Sequence, residues 1–129
     1  MITSCDAVNL LYRDCQQFGI PVYQEGNIPT DLKGERIILH GREHQVSGKW
    51  SKGYIEVNFF VEDNEDGNAE LIRLHELARL AQKNLRATST YDGTPYRYSV
   101  QSLHILEERE AKAHYLNAKV MFQSLYTIE

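Results

Sequence analysis

Tyr54-Ile-Glu-Val-Asn-Phe-Phe-Val-Glu62 is the stretch on which the reading of the fold turns. Its odd positions, Ile55, Val57, Phe59 and Val61, form one wholly apolar row. Strict alternation of this kind describes a half-buried β-strand, because successive side chains point to opposite faces of a sheet. The other row, Tyr54, Glu56, Asn58 and Phe60, then belongs to a second face.

Working back from that strand, Gly41 to Gly53 holds two polar, turn-prone stretches around Val46 and Trp50, and a long hairpin connection is expected there. Arg36-Ile-Ile-Leu-His40 reads as the strand before it, and Val22-Tyr23-Gln24 as a shorter one. Glu25 to Asp31 is a loop by its Gly, Asn, Pro and Asp content. Between Ser4 and Phe18, apolar Val8, Leu11, Cys15 and Phe18 recur every three or four residues, a helix stripe with Ser4 as its expected N-cap. Gly19, followed by Ile20-Pro21, stops that helix.

Working forward, an acidic loop leads to a helix over 69–87. Leu71, Leu74, Ala78, Ala81 and Leu85 form its stripe, widened by Ile72, Leu77 and Leu80, with Asn68 as the expected cap. Thr88 to Pro95 reads as a turn-rich link. Tyr96 to Glu107 and His114 to Thr127 read as two long strands joined by the charged turn 108–112. The order α-β-β-β-α-β-β predicts one α+β domain over residues 1–129, with a mostly antiparallel sheet and two helices on one face.

Composition agrees with a globular chain. Of the 129 residues, 42% are hydrophobic and 25% charged, and a chain of this length buries roughly two-thirds of its unfolded surface in one core. No apolar run approaches the roughly 20 residues of a membrane helix. Met1 to Asp6 has no basic or apolar leader, so no secretion signal is expected. Cys5 and Cys15 sit about 15 Å apart along one helix, beyond the roughly 7 Å limit for a disulfide. Free thiols and a reducing compartment follow. The net charge of −4 disfavours a dedicated phosphate-backbone binder, yet Lys33, Arg36, Arg42, Lys49 and Lys52 give segment 33–52 a local +3.

Few motifs carry chemistry. The acidic loop 62–67 imitates a calcium loop, with Glu62, Asn64 and Asp66 at alternate positions before Gly67, but Arg73 stands where a bidentate Glu belongs. His40 and His44 flank a turn rather than a helix face, and His75-Glu76 is followed by Arg79 where a zinc site needs its second His. His104 and His114 have no nucleophile or carboxylate at a telling spacing, and no glycine-rich phosphate loop occurs. One enzymatic alternative comes from topology. In a restriction-endonuclease-like nuclease, Asp31 and Glu56 would hold Mg²⁺ to activate water, but Asn58 stands in the place of the expected lysine. A small nucleic-acid-binding module using segment 33–52 with Trp50 is a further alternative.

Several strings taken in order resemble the tail-completion, or tail-terminator, proteins of tailed bacteriophages, of a prophage type similar to those of Bacteroidetes. They are Asp6-Ala-Val-Asn-Leu-Leu-Tyr12, Val22-Tyr-Gln-Glu-Gly-Asn-Ile-Pro29, Arg36-Ile-Ile-Leu-His40 and Tyr54-Ile-Glu-Val-Asn-Phe-Phe-Val61, followed by a long amphipathic helix and a final hairpin. The resemblance implies a non-enzymatic virion protein, without cofactor, metal or catalytic residues. It would be made in the host cytoplasm and located in the tail and neck. It implies a homo-oligomeric ring, typically hexameric, at the head-proximal end of the tail tube. That ring would end the tube and join the tail to neck or connector proteins, with no membrane partner and no specific nucleic-acid binding.

The expected contact surface is the second face of the central strand: Tyr54, Glu56, Asn58 and Phe60, joined by Lys119 and Met121 from the last strand. Its mixture of aromatics, Met and hydrogen-bonding groups suits an interface. Phe60→Glu is expected to leave the subunit folded and weaken the ring. Trp50 is expected either at an interface or tucked into its own core.

Overall fold

In a computed structural model, which describes residues 1–125, the central strand is one of six in a single sheet. The elements are α1 (Ser4–Cys15), β1 (Val22–Gln24), β2 (Arg36–Ser47), β3 (Trp50–Glu62), α2 (Leu71–Asn84), β4 (Ala87–Tyr91), β5 (Thr94–Glu108) and β6 (Ala113–Leu125). Sheet order is β1-β2-β3-β6-β5-β4. The α+β class holds. Tyr126 and Thr127, the expected end of the last strand, lie outside the described residues.

The sheet is mixed, which corrects the mostly antiparallel expectation. β1 runs parallel to β2, pairing Val22 with Ile37 and Gln24 with Leu39, while β2–β3, β3–β6, β6–β5 and β5–β4 are antiparallel. The loop over 25–35 carries the chain back to β2's start instead of turning it in a hairpin, and parallel neighbours need such a crossover. A sixth strand, β4, replaces most of the link expected after α2. Asp92 and Gly93, both at positive φ (48° and 77°), turn it into β5. This is the two-residue turn that suits the twist of a hairpin.

Segment 41–53, expected as a connection, is mostly strand. β2 and β3 pair from Arg36↔Phe60 out to Ser47↔Trp50, closed by Gly48 at φ 64° and Lys49. β2 carries one extra residue between Gly41 and His44, and β5 one between Val100 and Ser102. Each bulge reverses which side chains face the helices, because the pleat has a period of two.

Both helices lie on the face carrying Ile55, Val57, Phe59 and Val61. Ala7, Leu10, Leu11 and Cys15 of α1 and Leu74, Leu77 and Ala81 of α2 share one buried cluster with those residues and with Leu116, Ala118, Val120 and Phe122 of β6. The cap of α1 is Thr3 rather than Ser4. The Thr3 hydroxyl accepts from the Asp6 N–H (3.1 Å), and the Asp6 carboxylate accepts from the Thr3 N–H (2.9 Å), a capping box. Gly19, at φ 68°, ends the short 3₁₀ turn that follows α1.

α2 begins later than expected. Its N-cap is Glu70, without a side-chain cap bond, and Asn68 instead donates its backbone N–H to Asn64 Oδ1. Leu71 and Ile72, placed in the apolar stripe by periodicity, are exposed. α2 meets the core through Leu74, Leu77 and Ala81, and Leu71 and Ile72 project away from that side.

Candidate functional site

The second sheet face is built from β2, β3, β6 and β5, and no described helix lies over it. The register brings Tyr54 beside Met121, Glu56 beside Lys119, Asn58 beside Asn117 and Phe60 beside Tyr115. All the residues expected on this face are therefore neighbours on it. Trp50, at the far end of β3, shares their parity.

The polar groups of this face are largely paired with one another. Asn117 Nδ2 donates to Asn58 Oδ1 (2.7 Å). Arg42 Nε donates to a Glu56 carboxylate oxygen (2.8 Å), and its Nη2 donates to the same oxygen. Lys119 Nζ lies 4.3 Å from the Tyr54 ring centre, and Arg97 sits over the Trp50 ring at 5.7 Å while donating to Gln123 Oε1. Such cross-strand pairs contribute a few tenths of a kcal/mol each, of order 0.2–1. Their larger effect is to leave few groups that demand a partner.

Phe60 departs from the expectation. It is 9% exposed, stacked on Tyr115 (centroids 4.7 Å apart) with the Arg36 guanidinium over it at 5.1 Å. Ile38 and Ala113 complete a small second core. Phe60→Glu therefore strikes buried structure rather than a free surface, which corrects the expectation that this position lies clear of any core. Asn58 is also buried. Tyr54, Glu56 and Met121 are half-buried, and Lys119 is exposed. Trp50 is 43% exposed, which places it outside its own core.

The residues of the enzymatic alternative are not brought together. Asp31 lies exposed in the crossover loop at φ 60°, whereas Glu56 is at mid-β3 with its carboxylate held by Arg42. In the acidic loop, Glu62 accepts from the Gly34 N–H, Asp63 meets His114 Nδ1 at 2.6 Å, and Asn64 accepts from Asp66 and Asn68 N–H groups. Among the described residues no three His, Cys, Asp or Glu side chains converge as metal ligands. Of the basic segment, Arg36 is buried against Phe60 and Arg42 is engaged by Glu56, while Lys33, Lys49 and Lys52 are exposed. Both cysteines are free; Cys5 is exposed, and burial in the core pushes the Cys15 thiol up to about 12.

One feature of the other face escaped sequence reasoning. The His44 imidazole brings its Cδ2 edge against Gly53 and stacks toward Phe122 (6.1 Å, 17° between planes). A Cβ on Gly53 would sit 1.6 Å from His44 Cδ2, so the glycine provides the space for the ring. Neither ring nitrogen has a partner among the described residues, and burial lowers the His44 pKa. A second histidine, His40, has Nδ1 3.0 Å from a Glu25 oxygen, close enough for an ion pair but not aligned as a hydrogen bond.

No protein-family model matches this sequence, and no curated protein does. A solved structure is similar in fold, with a TM-score of 0.54 at 14% sequence identity, covering 98% of this chain and 96% of that one. At that identity the likeness concerns the path of the chain alone. No helix among the described residues is long and apolar enough to cross a membrane.

Proposed function

We propose that this chain is a non-enzymatic structural subunit of a tailed-bacteriophage virion. Copies of it would form a ring, on the hexameric pattern, at the head-proximal end of the tail tube. The ring ends tube growth and presents a docking face to neck or connector proteins. The observation that carries the reading is the second sheet face, which no described helix covers. Its polar groups satisfy one another while Trp50, Tyr54 and Met121 stay accessible in part. A face of this kind tolerates water before assembly and offers aromatic and thioether contact area afterwards. The order of strings along the sequence supports the same reading.

The test is native mass measurement and negative-stain electron microscopy of the purified full chain. Closed rings of one size are the expected result. A persistent monomer that cuts DNA when Mg²⁺ is added would overturn the proposal in favour of the Asp31–Glu56 nuclease.

A further inference from the structure

The two outer strands of the sheet are shorter than the strands they flank. β4 pairs only with Thr94–Tyr98, so from Ser99 to Glu108 the outer edge of β5 has no strand beside it. β1 pairs only with Ile37–Leu39, so from Gly41 to Ser47 the outer edge of β2 is bare as well. Backbone hydrogen bonds outside the ladders reach neither stretch among the described residues. A bare edge presents a row of unpaired N–H and C=O groups, a template for another strand. Neither stretch contains a Lys or Pro, and the one β-bulge near the start of each leaves His44–Ser47 and Ser102–Glu108 as the regular part of the edge.

The two bare stretches are complementary in position and direction. They lie on opposite sides of the sheet and at opposite ends of it: Gly41–Ser47 with the tip of the β2–β3 hairpin, Ser99–Glu108 leading to the β5–β6 turn. Three antiparallel steps, β2–β3, β3–β6 and β6–β5, make β2 and β5 run in opposite directions. A second copy displaced sideways and offset by about half a strand therefore brings its β2 edge antiparallel to the β5 edge of the first. Gly41–Ser47 carries no net charge, Arg42 offsetting Glu43, and Ser99–Glu108 a net −2, so no net like-charge repulsion opposes their approach. Because the two edges differ, each copy keeps one free after pairing, a head-to-tail contact that generates rings or filaments rather than closed dimers.

We infer that neighbouring copies of this chain join by adding the β2 edge of one subunit (Gly41–Ser47) to the β5 edge of the next (Ser99–Glu108), continuing the sheet between subunits. This rests on the ring reading and specifies its contact. Gln45 on β2, and Ser102, His104 and Leu106 on β5, share the helix-free face and are accessible, so their side chains would align across the junction.

The test uses the full chain with Cys5→Ser. Gln45→Cys protein is mixed in turn with Ser102→Cys, His104→Cys and Leu106→Cys protein under mild oxidation, with circular dichroism confirming that each variant folds. A covalent pair from at least one mixture, absent when either protein is oxidised alone, is the expected result. The double variant should yield a ladder ending at the ring size. An open ladder without closed rings would uphold the edge contact and refute the ring. Rings by microscopy with no cross-link in any mixture would refute the edge contact and leave the ring standing. Cross-linking of Leu106→Cys to itself alone would mean a two-fold contact, and uniformly monomeric protein would refute both.

Discussion

Phe59 and Phe60 are adjacent in sequence and face opposite sides of β3, and the difference between their surroundings sets the two faces of the molecule apart. Phe59 is 1% exposed, meets Phe18 edge-to-face at 5.3 Å, and belongs to a core closed by two helices. Phe60 is nearly as hidden, yet its cover consists of one arginine, one tyrosine and two small or aliphatic neighbours. Burial on the first face is collective, with every member supported by many others. Burial on the second is local, improvised by long side chains lying across the sheet. A face built the second way stays soluble and can still exchange its cover for another subunit.

That contrast predicts unequal costs. Phe59→Ala opens a cavity in a close-packed core and should cost about 3–5 kcal/mol in urea unfolding. Phe60→Ala should cost about 2 kcal/mol, because Arg36 and Tyr115 can collapse into the space it leaves. Equal losses would erase the distinction between the faces. A larger loss for Phe60 would reverse it, making the second cluster the principal core.

How far the sequence revealed this architecture follows from the pleat. Where alternation runs unbroken, as in β3 and in the Leu116–Phe122 stretch of β6, the row facing the helices was legible from the residues. It broke down at the β2 bulge, whereas β5 reads as one strand through its own, although its inward row changes parity there. Before its bulge β2 turns Ile37 and Leu39 to the core, and after it His44; β5 changes from Tyr96 and Tyr98 to Leu103 and Ile105. A reader tracking one parity loses β2 at its bulge, which is why that strand seemed to end at His40. β4 was missed for another reason. The Asp92-Gly93 pair is a strong hairpin signal, but the flanking Ala87–Tyr91 is nearly all exposed and shows no apolar row. The hidden position of Phe60 had no local signal, since its cover comes from Arg36 and Tyr115, distant in sequence.

The second test moves to the helix-covered side, at its least satisfied point. Gly53→Ala would drive a methyl into the His44 ring and expel it from Phe122, at a cost of about 1–3 kcal/mol. The same site should make stability depend on pH. Burial lowers the folded pKa of His44, whereas the unfolded chain titrates near 6.5. As pH falls below about 6.5 the unfolded state takes up the proton first, so this stabilisation is present above that value and is lost progressively toward the folded pKa. His44→Phe preserves the stack without the titration, so it should lose less stability than wild type between pH 7 and pH 5. Identical pH dependence in the two proteins would show that the ring does not remain neutral and buried.

The smallest expected effect lies on the helix-free face, at Glu56. Its carboxylate is engaged by Arg42, with the two side chains 27% and 51% exposed. An ion pair this wet contributes only about 0.2–1 kcal/mol, and salt screens it. Glu56→Gln keeps the shape and an acceptor oxygen, so unfolding in low salt should shift by less than about 1 kcal/mol, and the shift should shrink further in high salt. The same variant separates the two functional readings. If Glu56 only pairs with Arg42 on a contact face, Glu56→Gln retains ring formation, and neither it nor wild type cuts DNA with Mg²⁺. If Glu56 holds a metal with Asp31, wild type cuts and the variant does not, even though its stability barely changes. A large stability loss, above about 2 kcal/mol, would contradict both, because it would mean that Glu56 holds together something more buried than a surface pair.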